Sequence, residues 1–234
     1  MVKCLKVLIG GETSGKMRDA FRRLGHDAIS CDLEPSDAPG PHYLGNYWDI
    51  AHDDWDLGIF HPTCTFMCNS SSQHIHIEEG RWDKMVASAE DFKRLDELPY
   101  PHAIENPIML GYAQEIIGRG PDQIVQPWWF GHRETKATCW WLKDLWKLRP
   151  TNDLGPPLPH ERAEWAKCHR AQPGPLRWKE RSETKQGMAD ACAWQWGGGR
   201  ATGLKAALIR ADYEVTSLIG ACRGLVDEGR SASL

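Results

Sequence analysis

Two side chains combine reactive chemistry with a telling position. Cys64 lies in the turn His61-Pro62-Thr63-Cys64, directly after the apolar run 56–60, and Glu105 closes a second apolar stretch in Ile104-Glu105-Asn106-Pro107. A thiol in a proline-containing turn beyond a strand can be exposed and activated as a nucleophile. A strand-end carboxylic acid with a raised pKa can protonate a substrate nitrogen and accept a hydrogen bond from an adjacent amine. A third group flanks the first apolar run. Gly10, Gly11 and Gly15, with Glu12 between them, allow a ligand close to the backbone beside a helix N-terminus, and Asp32 follows 17 residues after Gly15. An acidic strand end at that distance is placed to accept from two ribose hydroxyls, which points to an adenosine-bearing ligand. Glu34 competes with Asp32 for that role.

The elements that must carry these residues follow from periodicity. Leu5 to Ile9 is a short apolar run, and Met17, Ala20, Phe21 and Leu24 then recur at helical spacing until Gly25. Residues 28–31 form a second strand, 35–41 a loop and 56–60 a third strand. The face Trp82, Met85, Val86, Ala89, Phe92 and Leu95 marks a helix, residues 103–105 a strand, and 109–117 another helix. Residues 137–142 are a late strand, in which Trp140-Trp141 must send one ring to each face, so at least one is core. Residues 149–180 hold six prolines and no period and are expected to be loop, before a last helix over 187–196. Strands alternating with helices specify an α/β fold, a doubly wound and mostly parallel sheet whose ligands gather at the carboxyl ends of its strands.

Composition narrows the class. The 234 residues suit one domain over 1–200 plus an appendage, and the net charge of -4 argues against a protein that coats nucleic acid over its whole surface. The charge is uneven: residues 1–130 carry 11 Lys and Arg against 20 Asp and Glu, whereas residues 131–200 carry 13 against 8. An acidic body with a basic second part is compatible with nucleic acid touching one side. No stretch matches a membrane span or a signal peptide, so a cytoplasmic protein with free thiols among its eight cysteines is expected. Cys64, Cys68, His74 and His76 are the nearest approach to a metal cluster. They lack a second closely spaced pair, and no metal is expected.

Several segments, taken in order, carry a resemblance: residues 7–37 (VLIGGETSGKMRDAFRRLGHDAISCDLEPSD), WDLGIFHPTCTFM, AIENP, FGHRETKATCWWL and ERSETKQGMADACAWQWG. Together they resemble the DNA (cytosine-5) methyltransferase family, most of all its small phage-encoded members, over roughly residues 5–197. The resemblance implies a Rossmann-like sheet of the S-adenosylmethionine-dependent methyltransferase type, S-adenosyl-L-methionine as cofactor and DNA cytosine as substrate. If the chain is phage-encoded, its place is the host cytoplasm. Cys64 would attack carbon 6 of cytosine and Glu105 would stabilise the ring at N3. Gly10, Gly11, Glu12, Gly15, Asp32, Asp49 and Pro62 would hold the cofactor, Asp49 near the adenine amine. Asn106 would meet the base, and Lys136, in place of one arginine of the family's Gln-x-Arg-x-Arg, would lie near the base or the thiolate. The chain departs from the family in Thr63 and Thr65 around Cys64, in ENP for ENV, and in Glu12-Thr13-Ser14 within the glycine loop.

Full-size members carry a large target-recognition region after the late strand. Here residues 143–185 form a reduced substrate-contact region in which Arg177, Lys179 and Arg181, with nearby tryptophans, suit phosphates and stacked bases. Low sequence specificity is the consequence. Amino-group methylation is disfavoured because HPTC lacks the polar-Pro-Pro-aromatic cage it requires. The same chemistry on a free cytosine nucleotide, or a catalytically silent binding protein of this fold, remain as rivals. Beyond Gly197-Gly198-Gly199, the residues Leu204, Leu208, Ala211, Val215, Leu218, Cys222 and Leu225 form a heptad seam in an amphipathic helix over 201–234. That narrow stripe points to a homodimer.

Overall fold

In the computed structural model, which describes residues 3–172, 174 and 177–198, seven strands form one sheet. The strands are β1 (Lys6–Gly10), β2 (Asp27–Asp32), β3 (His42–Leu44), β4 (Leu57–Phe60), β5 (His102–Asn106), β6 (Gln123–Val125) and β7 (Thr138–Lys143). Their spatial order is β3-β2-β1-β4-β5-β7-β6. All neighbours pair in parallel except β7, which runs antiparallel to both β5 and β6. This is the expected doubly wound, mostly parallel α/β sheet of Rossmann-like type. Its order reverses between β1 and β4, and the crevice at such a switch point is where ligands bind.

The central strands are buried almost continuously, as a sheet covered on both faces requires, and alternate residues enter opposite cores. Val7 and Ile9 of β1 join one core with helices α1 (Lys16–Arg23) and α7 (Gln186–Trp196), while Leu8 joins the opposite core with α2 (Arg81–Asp96) and α3 (Gly111–Ile117). Trp140 and Trp141 are both fully buried, one on each side: Trp140 meets Trp196 edge-on at 5.2 Å and Trp141 meets Phe92 at 4.9 Å. Each ring removes about 150–250 Å² from water, so the pair fastens both helical layers to β7.

The helices follow their apolar spacing. In α1, Met17, Ala20 and Phe21 face the core; in α2, Met85, Ala89, Phe92 and Leu95 do so. Two strands, β3 and β6, are absent from the apolar pattern because each is a three-residue edge strand with much of its surface exposed. Residues 149–180 are more than loop. They contain short helices α4 (Arg162–Trp165), α5 (Lys167–Arg170) and α6 (Arg177–Ser182), anchored by buried Trp165 and by a Thr135 amide that donates to the Trp165 carbonyl at 2.8 Å. Ion pairs Lys16–Glu183 at 2.7 Å and Lys185–Glu134 at 2.8 Å tie this region to the body. Among the described residues no helix is long and apolar enough to cross a membrane. The heptad seam at 204–225 lies outside the described residues.

Candidate active site

The antiparallel course of β7 decides which residues meet. Asn106 at the end of β5 pairs with Cys139 near the start of β7, so Lys136, just before β7, emerges at the same sheet edge as the loops after β1, β4 and β5. Four segments converge there: the glycine loop, the turn 61–64, Glu105-Asn106, and Lys136.

The turn after β4 is held against β1. The His61 amide donates to the Gly10 carbonyl at 2.8 Å, and a Cβ on Gly11 would meet the His61 carbonyl oxygen at 2.3 Å. Gly11 also has φ +76°, so only glycine fits both the backbone conformation and this approach. The Gly11 and Glu12 amides donate to the Cys31 carbonyl at 2.8 and 3.2 Å, fixing the loop across the end of β2. Gly15, at φ +72°, precedes α1.

Glu12 has a definite task. Its Oε1 accepts from the Met17 amide at 2.8 Å and the Ser14 hydroxyl at 2.9 Å, and its Oε2 accepts from the Arg18 amide at 3.2 Å. A buried carboxylate therefore takes up the first-turn amides of α1, where a ligand phosphate would otherwise bind. Asp32, at the end of β2, accepts the Glu34 amide at 3.0 Å. Asp49 closes a short 3-10 turn over Tyr47–Asp49 and accepts the Tyr43 hydroxyl at 3.3 Å. Fully buried Arg18 braces the loop that follows Asp32 by donating to Ser36 and to the Ala38 and Pro39 carbonyls at 2.9–3.3 Å.

Glu105 differs from the expected raised-pKa acid. Burial pushes its pKa up, but the His61 hydrogen bond and the Lys136 charge outweigh burial and hold it below the ordinary value. His61 Nδ1 lies 3.2 Å from Glu105 Oε2, and the two side chains are only 11% and 12% exposed. From its place beside Cys64, His61 suggests a structural hydrogen bond ahead of a role in positioning the thiol or the cofactor; its partner is the candidate acid. Cys64 also departs from expectation. It is half-buried, and its thiol is pushed well up by a hydrogen bond with Cys68, by burial and by the charge of Glu105, with Lys136 acting the other way. The i,i+4 turn that makes this contact places the Cys68 amide 3.0 Å from the Cys64 carbonyl. Cys68 is thus a direct neighbour of the Cys64 thiol.

Asn106 is fully buried. Its Nδ2 donates to the Pro62 carbonyl at 3.4 Å, while its Oδ1 and His61 Nε2 are buried without a hydrogen-bond partner among the described residues. Lys136 Nζ reaches the Ser182 carbonyl at 3.5 Å, which links the site to α6. Of the three basic residues expected on phosphates, Lys179 is ion-paired with Asp37, and Arg177 and Arg181 are half-buried. Among the described residues no group of three or more His, Cys, Asp or Glu is arranged to hold a metal ion.

The arrangement can deliver a thiol and a carboxylate to one ligand beside a glycine-lined crevice. No protein-family model and no curated protein matches the chain. Among solved structures, the crystal structure of S. pombe Dnmt2 methyltransferase is similar to it, with a TM-score of 0.39 and 16% identity over 62% of this chain and 52% of that one. The chain spans about half the length of that structure.

Proposed function

We propose that the protein transfers a methyl group from S-adenosylmethionine to carbon 5 of cytosine in DNA, with low sequence specificity, through a covalent Cys64 adduct. The observation that carries this reading is the meeting of Cys64, Glu105 and Lys136 at the carboxyl edge of the sheet, within one another's electrostatic reach. Carbon 5 of cytosine is a weak nucleophile until another nucleophile adds at carbon 6 and charge at N3 is neutralised. A thiol and a proton carrier on adjacent strands are what that addition needs.

The donor set also suits the cofactor. A pyrophosphate would compete with Glu12 for the α1 amides, whereas S-adenosylmethionine has no phosphate and carries a positive sulfonium. Gly10, Gly11, Gly15, Asp32, Asp49 and Pro62 would hold it. When bound, it supplies an electrophilic methyl group. Cys64 adds to carbon 6, Glu105 neutralises N3, Asn106 and Lys136 steady the base, and a water-linked base then removes the carbon 5 proton so that the Cys64 sulfur leaves carbon 6. A duplex target base must leave the stack to reach this edge. Arg177, Lys179 and Arg181 would meet the phosphates, Lys179 by exchanging Asp37 for DNA.

The test is a duplex carrying 5-fluorocytosine, which should trap the wild-type protein as a covalent adduct, while Cys64→Ser should abolish transfer yet still bind S-adenosylmethionine. Full activity of Cys64→Ser would overturn the proposal. Replacing Arg177, Lys179 and Arg181 together should flatten the salt dependence of DNA binding by about 0.9 per lost contact. An unchanged slope, with methylation of free cytosine nucleotide, would move the same chemistry to that substrate.

A further inference from the structure

The contact between His61 and Glu105 is not accounted for by the reading above. The imidazole is fixed on three sides: its backbone by Gly10, its ring by an edge-on contact with Trp140 at 6.3 Å, and Nδ1 by Glu105 Oε2 at 3.2 Å. Nε2 is buried without a partner among the described residues. A doubly protonated ring would bury an N–H with no acceptor beside it. A neutral ring with its proton on Nδ1 satisfies the one hydrogen bond the geometry offers, and Nδ1–H then donates to the carboxylate.

The groups facing Glu105 are His61 from the end of β4, Cys64 from the following turn, Lys136 from before β7, Cys139 from β7 and Cys192 from α7. Cys68, burial and the Glu105 charge push the Cys64 thiol up, while His61 and Lys136 draw Glu105 down against its burial. Addition to cytosine needs a bare sulfur and a neutralised N3.

We propose that His61 is a positioning residue that holds one oxygen of the Glu105 carboxylate and so orients the other towards the bound base. The inference rests on the methyl-transfer reading, but its first test does not need turnover.

The full chain, labelled with 13C at glutamate carboxyls and assigned with Glu105→Gln, is titrated by NMR in the wild type, His61→Leu, His61→Gln and His61→Asn. Asparagine can donate from about the Nδ1 position; leucine cannot donate, and glutamine reaches past it. Glu105 should titrate below the ordinary carboxylate range in the wild type, bind its proton at least about tenfold more tightly in the leucine and glutamine variants, and return towards wild type in His61→Asn. On a cytosine duplex the leucine variant should lose about 10² in kcat with the KM for S-adenosylmethionine unchanged and the acid limb of the pH profile moved upward, and His61→Asn should recover most of the rate. If leucine fails to fold, the glutamine variant carries the same comparison. An unmoved Glu105 titration in both, or an asparagine variant as far shifted as the others, overturns the proposal. A titration that responds as expected in a wild type that methylates no cytosine would remove the methyl-transfer reading and leave the His61 hold on Glu105.

Discussion

Glu12 is the sharpest point at which structure, stability and ligand choice meet. Its carboxylate accepts two backbone amides and one hydroxyl at 2.8–3.2 Å while only 5% exposed, so Glu12→Ala would strand the Met17 and Arg18 amides where water has little access. A lost helix cap costs about 1 kcal/mol, and hydrogen bonds to a charged acceptor about 1.5–3 kcal/mol before relaxation. A net loss of about 2–4 kcal/mol follows, or a fall in Tm of roughly 5–15 °C for a domain of this size. Glu12→Gln keeps an acceptor and loses only its charge at the helix N-terminus, so about 0.3–1 kcal/mol should go. Urea unfolding of the three proteins gives these differences directly. Calorimetry gives a second and opposite signature: with the α1 amides released, Glu12→Ala should bind a phosphate-bearing adenine nucleotide more tightly than wild type and S-adenosylmethionine no better. An alanine variant as stable as wild type would refute the capping account, and one with no gain for phosphate would refute the exclusion.

Other consequences are equally open to measurement. Asp32→Ala should weaken S-adenosylmethionine about 10- to 150-fold by calorimetry, the loss of a charged acceptor worth about 1.5–3 kcal/mol; unchanged affinity would shift the ribose to Glu34. Cys68→Ser removes the contact that most raises the Cys64 thiol, so Cys64 should react faster with a thiol reagent at pH 8, and an unchanged rate would dismiss that coupling. At Asp96, burial acts upward but the Arg119 hydrogen bonds, at 2.5 and 2.7 Å, and His102 hold its pKa far below normal. A depressed carboxylate stabilises the fold above its unfolded pKa of about 3.9 and loses that contribution as pH falls towards its folded value. Asp96→Asn should therefore cost about 1–3 kcal/mol at pH 7, with the deficit shrinking below about pH 4, and a deficit constant from pH 7 to 2.5 would contradict the assignment.

Much of this protein was legible in its residues. The apolar runs 56–60 and 103–105, and the helical faces of α1 and α2, are local patterns whose period is fixed by backbone geometry, so a chain without coordinates already displays them. The placement of Cys64, Glu105 and Asp32 at strand ends follows from the same patterns, because in a parallel sheet those ends share one edge. Tertiary structure decided everything that depends on which neighbour arrives. β3 and β6 have no periodic signature, since edge strands of three residues are stabilised by pairing with the sheet and little by their own burial. The reversal of β7 brings Lys136 to the site, and strand direction leaves no mark on side-chain alternation. The pKa shifts of Cys64, upward, and Glu105, downward, run opposite to the activated thiol and raised-pKa acid that their strand-end positions suggest. A pKa is set by partners 3 to 6 Å away in space, and His61 and Cys68 take up those places only when β4, β5 and the turn between Cys64 and Cys68 have folded together.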